Sequence, residues 1–147
     1  MIEPGSQIKV YSDLVVFHQS GIPHKFHANH GLKIIIAEEQ FSVIHDHKVI
    51  NSNGLIIRPD TSHKINAGPW IIISIYIDPE TQIGREINYL LNKRKVLKLE
   101  KTIVTALLNY FNDALEFHYT EREVKRFLIT TLLNRYSLDT ASIDERI

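Results

Sequence analysis

The chain has no cysteine among its 147 residues. That removes disulfides, thiolate metal sites and thiol nucleophiles together. Charge of either sign is not in excess: Lys plus Arg and Asp plus Glu number 17 each, for a formal net charge of zero. A segment that grips nucleic acid by itself needs a basic surplus, so direct binding to a phosphate backbone is not expected. Long apolar runs are missing too. The longest, Trp70 to Ile77, is broken by Ser74 and falls far short of the roughly 20 residues that span a bilayer. The N-terminal Met1-Ile2-Glu3-Pro4-Gly5-Ser6 lacks the basic-then-apolar pattern of a secretory signal. These absences point to a cytoplasmic domain with no membrane partner.

What is present is ordinary globular material, 44% hydrophobic and 23% charged. Up to about residue 80 it reads as short strands rich in Ile and Val. They are Ile8–Tyr11, Leu14–His18, Leu32–Ala37, Phe41–His45, Lys48–Ile50, Leu55–Arg58, His63–Ala67 and Trp70–Ile77. Turn signals separate them: Gly21-Ile22-Pro23, His30-Gly31, Asn51-Ser52-Asn53-Gly54, Pro59-Asp60 and Gly68-Pro69. Such spacing predicts a sandwich or barrel. In the last run Ile71, Ile73, Ile75 and Ile77 share one face, while Trp70, Ile72, Ser74 and Tyr76 share the other. Both faces are largely apolar, so this strand is expected to lie between a barrel interior and a covering layer.

From Pro79 the period becomes helical. Thr81–Asn92 carries Ile83, Ile87, Leu90 and Leu91 on one side, and Lys101–Tyr119 is apolar over more than half its circumference. Thr120-Glu121-Arg122-Glu123 is a capping box opening a helix to Tyr136, with Val124, Phe127, Leu128, Thr131 and Leu132 as its stripe. The middle helix has more apolar surface than a sheet needs. Either the last helix covers the remainder, or a second subunit does. The expected division is a barrel over 1–80, a helical segment over 81–136 and a linker over 137–147. Ser142-Ile143-Asp144-Glu145 then reads as the start of a further helix, so the chain is expected to continue.

Two stretches carry a family resemblance. One is Pro23-His24-Lys25-Phe26-His27-Ala28-Asn29-His30-Gly31-Leu32-Lys33-Ile34-Ile35-Ile36. The other is Asn53-Gly54-Leu55-Ile56-Ile57-Arg58-Pro59-Asp60-Thr61-Ser62-His63-Lys64-Ile65. Followed by Ile75-Tyr76-Ile77-Asp78-Pro79-Glu80-Thr81-Gln82-Ile83-Gly84, they resemble the N-terminal sensor domain of AraC-type transcriptional regulators, over about residues 7–147. The resemblance implies a mainly β, cupin-like double-stranded β-helix followed by C-terminal helices. It implies a bacterial effector-sensing and dimerisation domain with a small-molecule effector, a homodimeric partner, and DNA contacted only through a C-terminal helix-turn-helix portion. It places the dimer surface on Lys101–Tyr119. The stripe chosen there is Leu107, Tyr110, Phe111, Ala114 and His118, for which Leu107→Asp would give folded monomers. Residues 1–12 form the natural arm. Small barrels hold one ligand inside, and the candidate binding residues are His27, His30, Arg58, His63, Trp70 and Tyr76.

A metal site of His27, His30 and His63 holding Zn²⁺ or Fe²⁺ would require a bulge between the first two. The preferred reading gives these histidines hydrogen-bonding roles around a pocket, with no cofactor. No nucleophile-base-orienter set and no phosphate loop is visible, so no enzymatic activity is expected. The alternative is a stand-alone cupin enzyme, a metal-dependent isomerase or dioxygenase. Lys93-Arg94-Lys95, with Lys98 and Lys101 after it, reads as a solvated basic run that would lie near DNA if it has a role.

Overall fold

A computed structural model describes residues 7–20, 30–68, 70–114 and 119–134. The arm residues 1–6, the linker 137–147 and the helix start at Ser142–Glu145 lie outside the described residues. The strands are β1 (Gln7–Val10), β2 (Leu14–Ser20), β3 (Leu32–His45), β4 (Lys48–Ile57), β5 (Lys64–Asn66), β6 (Ile71–Ile77) and β7 (Val96–Lys98). The helices are α1 (Gln82–Leu91), α2 (Lys101–Ala114) and α3 (Glu121–Leu128), which runs on as a π-helical stretch over Ile129–Asn134.

All pairings are antiparallel, in the order β1-β2-β6-β3-β4-β7, with β5 also on β3. β3 organises the sheet. Its first half pairs with β6, and its second half pairs with β5. The change of partner follows a register irregularity between Ile36 and Phe41, where the spacing of apolar residues predicts two separate strands. A bulge of this kind bends the strand and strengthens its twist, which curls the sheet around an interior. The hairpin into β4 turns on Asp46 and His47, both left-handed at φ 50° and 60°. That is the two-residue turn whose twist matches the strands it joins.

The period-2 alternation divides the apolar residues into two cores. Leu32, Ile34, Ile36, Ile56, Ile73, Ile75 and Ile77 face the helices, where they meet Ile83, Ile87, Leu91, Ile103, Val104, Leu107, Phe111, Val124, Leu128 and Leu132. Ile35, Ala37, Phe41, Val43, Leu55, Ile57, Ile65, Ala67 and Ile72 face the interior. Thus β6 is buried on both sides as its sequence predicts, and the barrel with C-terminal helices is the architecture observed.

Helix starts and stops follow from local chemistry. The Thr81 side chain accepts from the Gly84 N–H to cap α1, and the left-handed Asn92 ends it. The Thr120 capping box opens α3 with both reciprocal bonds in place. β7 arises within the segment read as helical. It is only three residues long and pairs with β4 at Leu55, Ile56 and Ile57.

Two expectations change. Gly54 is not part of a turn between two strands. It sits within β4, where a Cβ would lie 2.5 Å from Val104 Cγ2, so glycine lets α2 lie close on the sheet. The dimer stripe is also corrected. Leu107 and Phe111 have no exposed surface, because their side chains fill the chain's own helix-side core. Tyr110 stacks on Phe127 at 3.8 Å and on Tyr119 at 4.7 Å between ring centroids. The surplus apolar face of α2 is therefore covered by α3. The Ala114 side chain and His118 lie outside the described residues.

Gly54→Ala should cost about 1–3 kcal/mol through overpacking, measured by urea unfolding. The cost should shrink when Val104 is also changed to Ala, and an equal cost in both backgrounds would reject the close-approach explanation. Leu107→Asp should abolish cooperative unfolding by burying a carboxylate. A folded monomer with native near-UV circular dichroism would contradict its placement in the core.

Candidate ligand-binding site

The β6 register brings Tyr76 and Lys33 side by side in one row across the inner face of the barrel. Val15 of β2 lies opposite Tyr76 of β6, Tyr76 opposite Lys33 of β3, and Lys33 opposite Ile57 of β4. The next inner row is Phe17, Ser74, Ile35 and Leu55. Lys33 is only 3% exposed, although its neighbours on the same face are Ile35 and Ala37. Its Nζ lies 5.1 Å from the centre of the Tyr76 ring, within the range of a cation–π contact. Phe17 braces Tyr76 edge-on at 5.3 Å.

His63 completes the group. It is buried, with Nδ1 2.7 Å from the Thr61 carbonyl and Nε2 3.3 Å from Lys33 Nζ. A carbonyl can only accept, so Nδ1 carries the proton and donates to Thr61. Nε2 is then free to accept from Lys33. Thr61 is itself buried just ahead of β5, which fixes the imidazole. The result is an ammonium, an imidazole and a phenol ring converging at one end of a mainly apolar interior. Removal from water pushes the Lys33 pKa down from 10.5 to about 8, and burial raises that of Tyr76.

Of the candidates chosen from sequence, His63 and Tyr76 meet here. Three others do not. His30 is exposed, with Nδ1 3.5 Å from Asp60 Oδ2. Arg58 follows Ile57 at the end of β4 and therefore turns outward. Its Nη1 donates to the Lys93 carbonyl at 3.4 Å. Trp70 precedes β6 in a turn closed by its N–H on the Ala67 carbonyl, and is 48% exposed. It borders a different groove, of about 380 Å³, with His18, Glu38, Glu39, Ile71, Ile73, Leu108 and Asn112. His27 lies outside the described residues. Both ring nitrogens of His63 are engaged by protein groups, which differs from what a metal ligand requires. Among the described residues no three His, Asp or Glu side chains converge as a metal cluster. His45 belongs to the β3–β4 hairpin end, against Asp46 and the Ser62 carbonyl.

Lys33 is the residue that sequence reasoning passes over. Its signal is visible afterwards: one charge inside a strand that is apolar on both faces, at odd spacing with Ile35 and Ala37.

No protein-family model and no curated protein matches the sequence. Solved structures match in shape. The AraC-like transcriptional activator CuxR aligns over 90% of this chain with a TM-score of 0.65 at 14% identity, and the chain spans 54% of CuxR's length. A conserved protein of unknown function from Streptococcus pyogenes aligns over 55% of this chain and 82% of its own, at 18% identity and a TM-score of 0.44. An RmlC-like cupin from Shewanella frigidimarina aligns over 54% of this chain and 82% of its own, at 16% identity and a TM-score of 0.44. At such identities the likeness to CuxR is one of fold: a barrel followed by helices.

The lowered Lys33 pKa fixes the sign of a pH effect. Between about 8 and 10.5 the unfolded chain keeps the proton that the folded chain has released, so stability rises with pH in that window. Below pH 8 both states are protonated, and the full burial cost is present. Lys33→Met removes this slope. Urea midpoints from pH 7 to 10 should show the wild type gaining on the variant as pH rises, and parallel curves would contradict it.

Proposed function

We propose that this chain is the effector-sensing and dimerisation domain of a bacterial AraC-type transcriptional regulator. A small molecule enters the barrel and docks against Lys33, His63 and Tyr76. Its binding biases how two copies hold C-terminal helix-turn-helix portions on DNA. The domain works by binding and not by catalysis, and the regulator acts in the cytoplasm. The observation that carries this reading is the buried Lys33–His63–Tyr76 group inside a barrel whose fold matches CuxR across 90% of the chain. A deeply buried ammonium among Ile and Leu side chains costs stability, and specific ligand recognition is the return for that cost. The chemistry selects a small molecule presenting a carboxylate or another acceptor to Lys33, with an apolar body toward Phe17 and Ile35. Sensing then requires a coupling free energy between the barrel and the DNA-binding portions.

The test begins with a thermal-shift screen of small acidic metabolites on the purified chain. A stabilising compound should bind about 10–100-fold more weakly to Lys33→Met, the loss expected for one charge-assisted hydrogen bond. In a longer chain carrying the DNA-binding portion, the same compound should shift operator affinity. Hits that bind Lys33→Met and His63→Gln as tightly as the wild type would move the effector site elsewhere.

A further inference from the structure

Arg58, once excluded from the barrel interior, belongs to a second constellation. It borders a groove of about 340 Å³ with Arg85, Asn88, Tyr89, Asn92 and Lys93. Arg85, Asn88 and Tyr89 of α1 and its C-cap Asn92 follow the spacing of three and four that marks one face of a helix. Arg58 enters from the end of β4 on the other side.

Among the described residues three cations line this groove and no carboxylate does. None of the three has an acidic partner within salt-bridge distance among the described residues. The ion pairs found there are His30–Asp60, His45–Asp46, Lys95–Asp46 and Lys125–Asp13. Both guanidinium groups are nonetheless held in place. Arg58 Nη1 donates to the Lys93 carbonyl and Arg85 Nη1 to the Glu80 carbonyl. Each keeps further N–H groups for a ligand.

The backbone supports the same surface. Asn92 and Lys93 are consecutive non-glycine residues in the left-handed region, at φ 48° and 70°. This conformation is uncommon for lysine. It turns the chain so that the Lys93 carbonyl meets Arg58. Asn88 also lines the groove, and its amide oxygen is buried with no hydrogen-bond partner. Tyr89 is 87% exposed at the rim, an open ring face beside the cations.

We propose that the groove between α1 and the end of β4 binds a phosphate group carried by a small molecule. Arg58 and Arg85 clamp its oxygens from two elements, the geometry in which guanidinium groups recognise phosphate. Lys93 adds charge, and Tyr89 covers the organic body. The site is separate from the barrel interior and stands whether or not an effector binds there.

The experiment is a titration of the ¹⁵N-labelled chain with inorganic phosphate and then with glycerol phosphate, followed by amide shifts. Saturable shifts should map to Arg58, Arg85, Asn88, Asn92 and Lys93, with the ester binding more tightly than inorganic phosphate. Arg58→Gln and Arg85→Gln should each weaken binding about ten-fold and leave the remaining spectrum unchanged. Lys101→Gln, outside the groove, should bind as the wild type does. Linear shifts spread over lysines and arginines throughout the chain would overturn the proposal. Equal affinity in both arginine variants would overturn it too, and a short DNA duplex producing the same shifts more tightly would reassign the surface to nucleic acid.

Discussion

Everything in this fold depends on β3 and β6 being buried on both faces. Along β6 the odd positions Ile73, Ile75 and Ile77 belong to the helix-side core, and the even position Ile72 belongs to the interior. β3 does the same in opposite parity, with Ile34 and Ile36 outward and Ile35 and Ala37 inward. Each such isoleucine is worth about 1.5–3 kcal/mol when taken out of water. A one-residue slip would exchange the two sets. It would drive Lys33 and Tyr76 under the helices and isoleucines into the polar end of the barrel. Register, helix docking and the interior polar group are therefore fixed by the same alternation.

That alternation also explains how much was legible from sequence. Isoleucine spacing places the β6 faces, apolar spacing places the helix stripes at Ile83–Leu91 and Val124–Leu132, and the Thr120-to-Glu123 pattern marks the capping box. Close approach is not written in spacing. Gly54 reads as a turn glycine because it follows Asn51-Ser52-Asn53, and only Val104 on a distant helix gives it its other reason. Leu107 and Phe111 read as surplus apolar surface because their spacing leaves open whether a second subunit covers them or α3 does. In the fold α3 covers α2, through the Tyr110, Tyr119 and Phe127 stack. β7 escapes notice because three residues are too few to show a period, and its basic neighbours suggest solvent. Histidines drew attention to the polar end of the barrel through His63, whereas Lys33 was hidden in an apolar strand that needed no explanation.

The helices are joined to the candidate site by more than packing. Tyr76 stands one residue before Ile77, and the Asp78 N–H that follows donates to the Asp13 carbonyl at 2.9 Å. The Asp13 N–H in turn donates to Glu121 Oε2 at 2.8 Å, and the Asp13 carboxylate pairs with Lys125. The Lys125 ammonium holds the Asp13 carboxyl below its ordinary pKa. Beside them the Tyr11 hydroxyl donates to the Tyr119 carbonyl at 2.9 Å. The turn between β1 and β2 is thus pinned to the first turn of α3, whose N-terminus also favours the carboxylates of Glu121 and Glu123.

A ligand that displaces Tyr76 would therefore act on β6 and, through two hydrogen bonds, on α3. The helices offer little slack elsewhere, since Gly54 leaves no space under α2 and Val124, Leu128 and Leu132 are fully buried. Close-packed elements of this kind respond by shifting as units rather than by local compression. α3 and its π-helical continuation are consequently the elements through which occupancy of the barrel would be felt. A π-helical stretch carries one more residue per hydrogen-bonded turn than the α-helix before it, and such stretches concentrate at functional positions. Here it lies at Ile129–Asn134, past the pinned end of α3. The pinned turn and the π-helical stretch bracket the α-helical part of that connection, one tied to β6 and the other leading away from it.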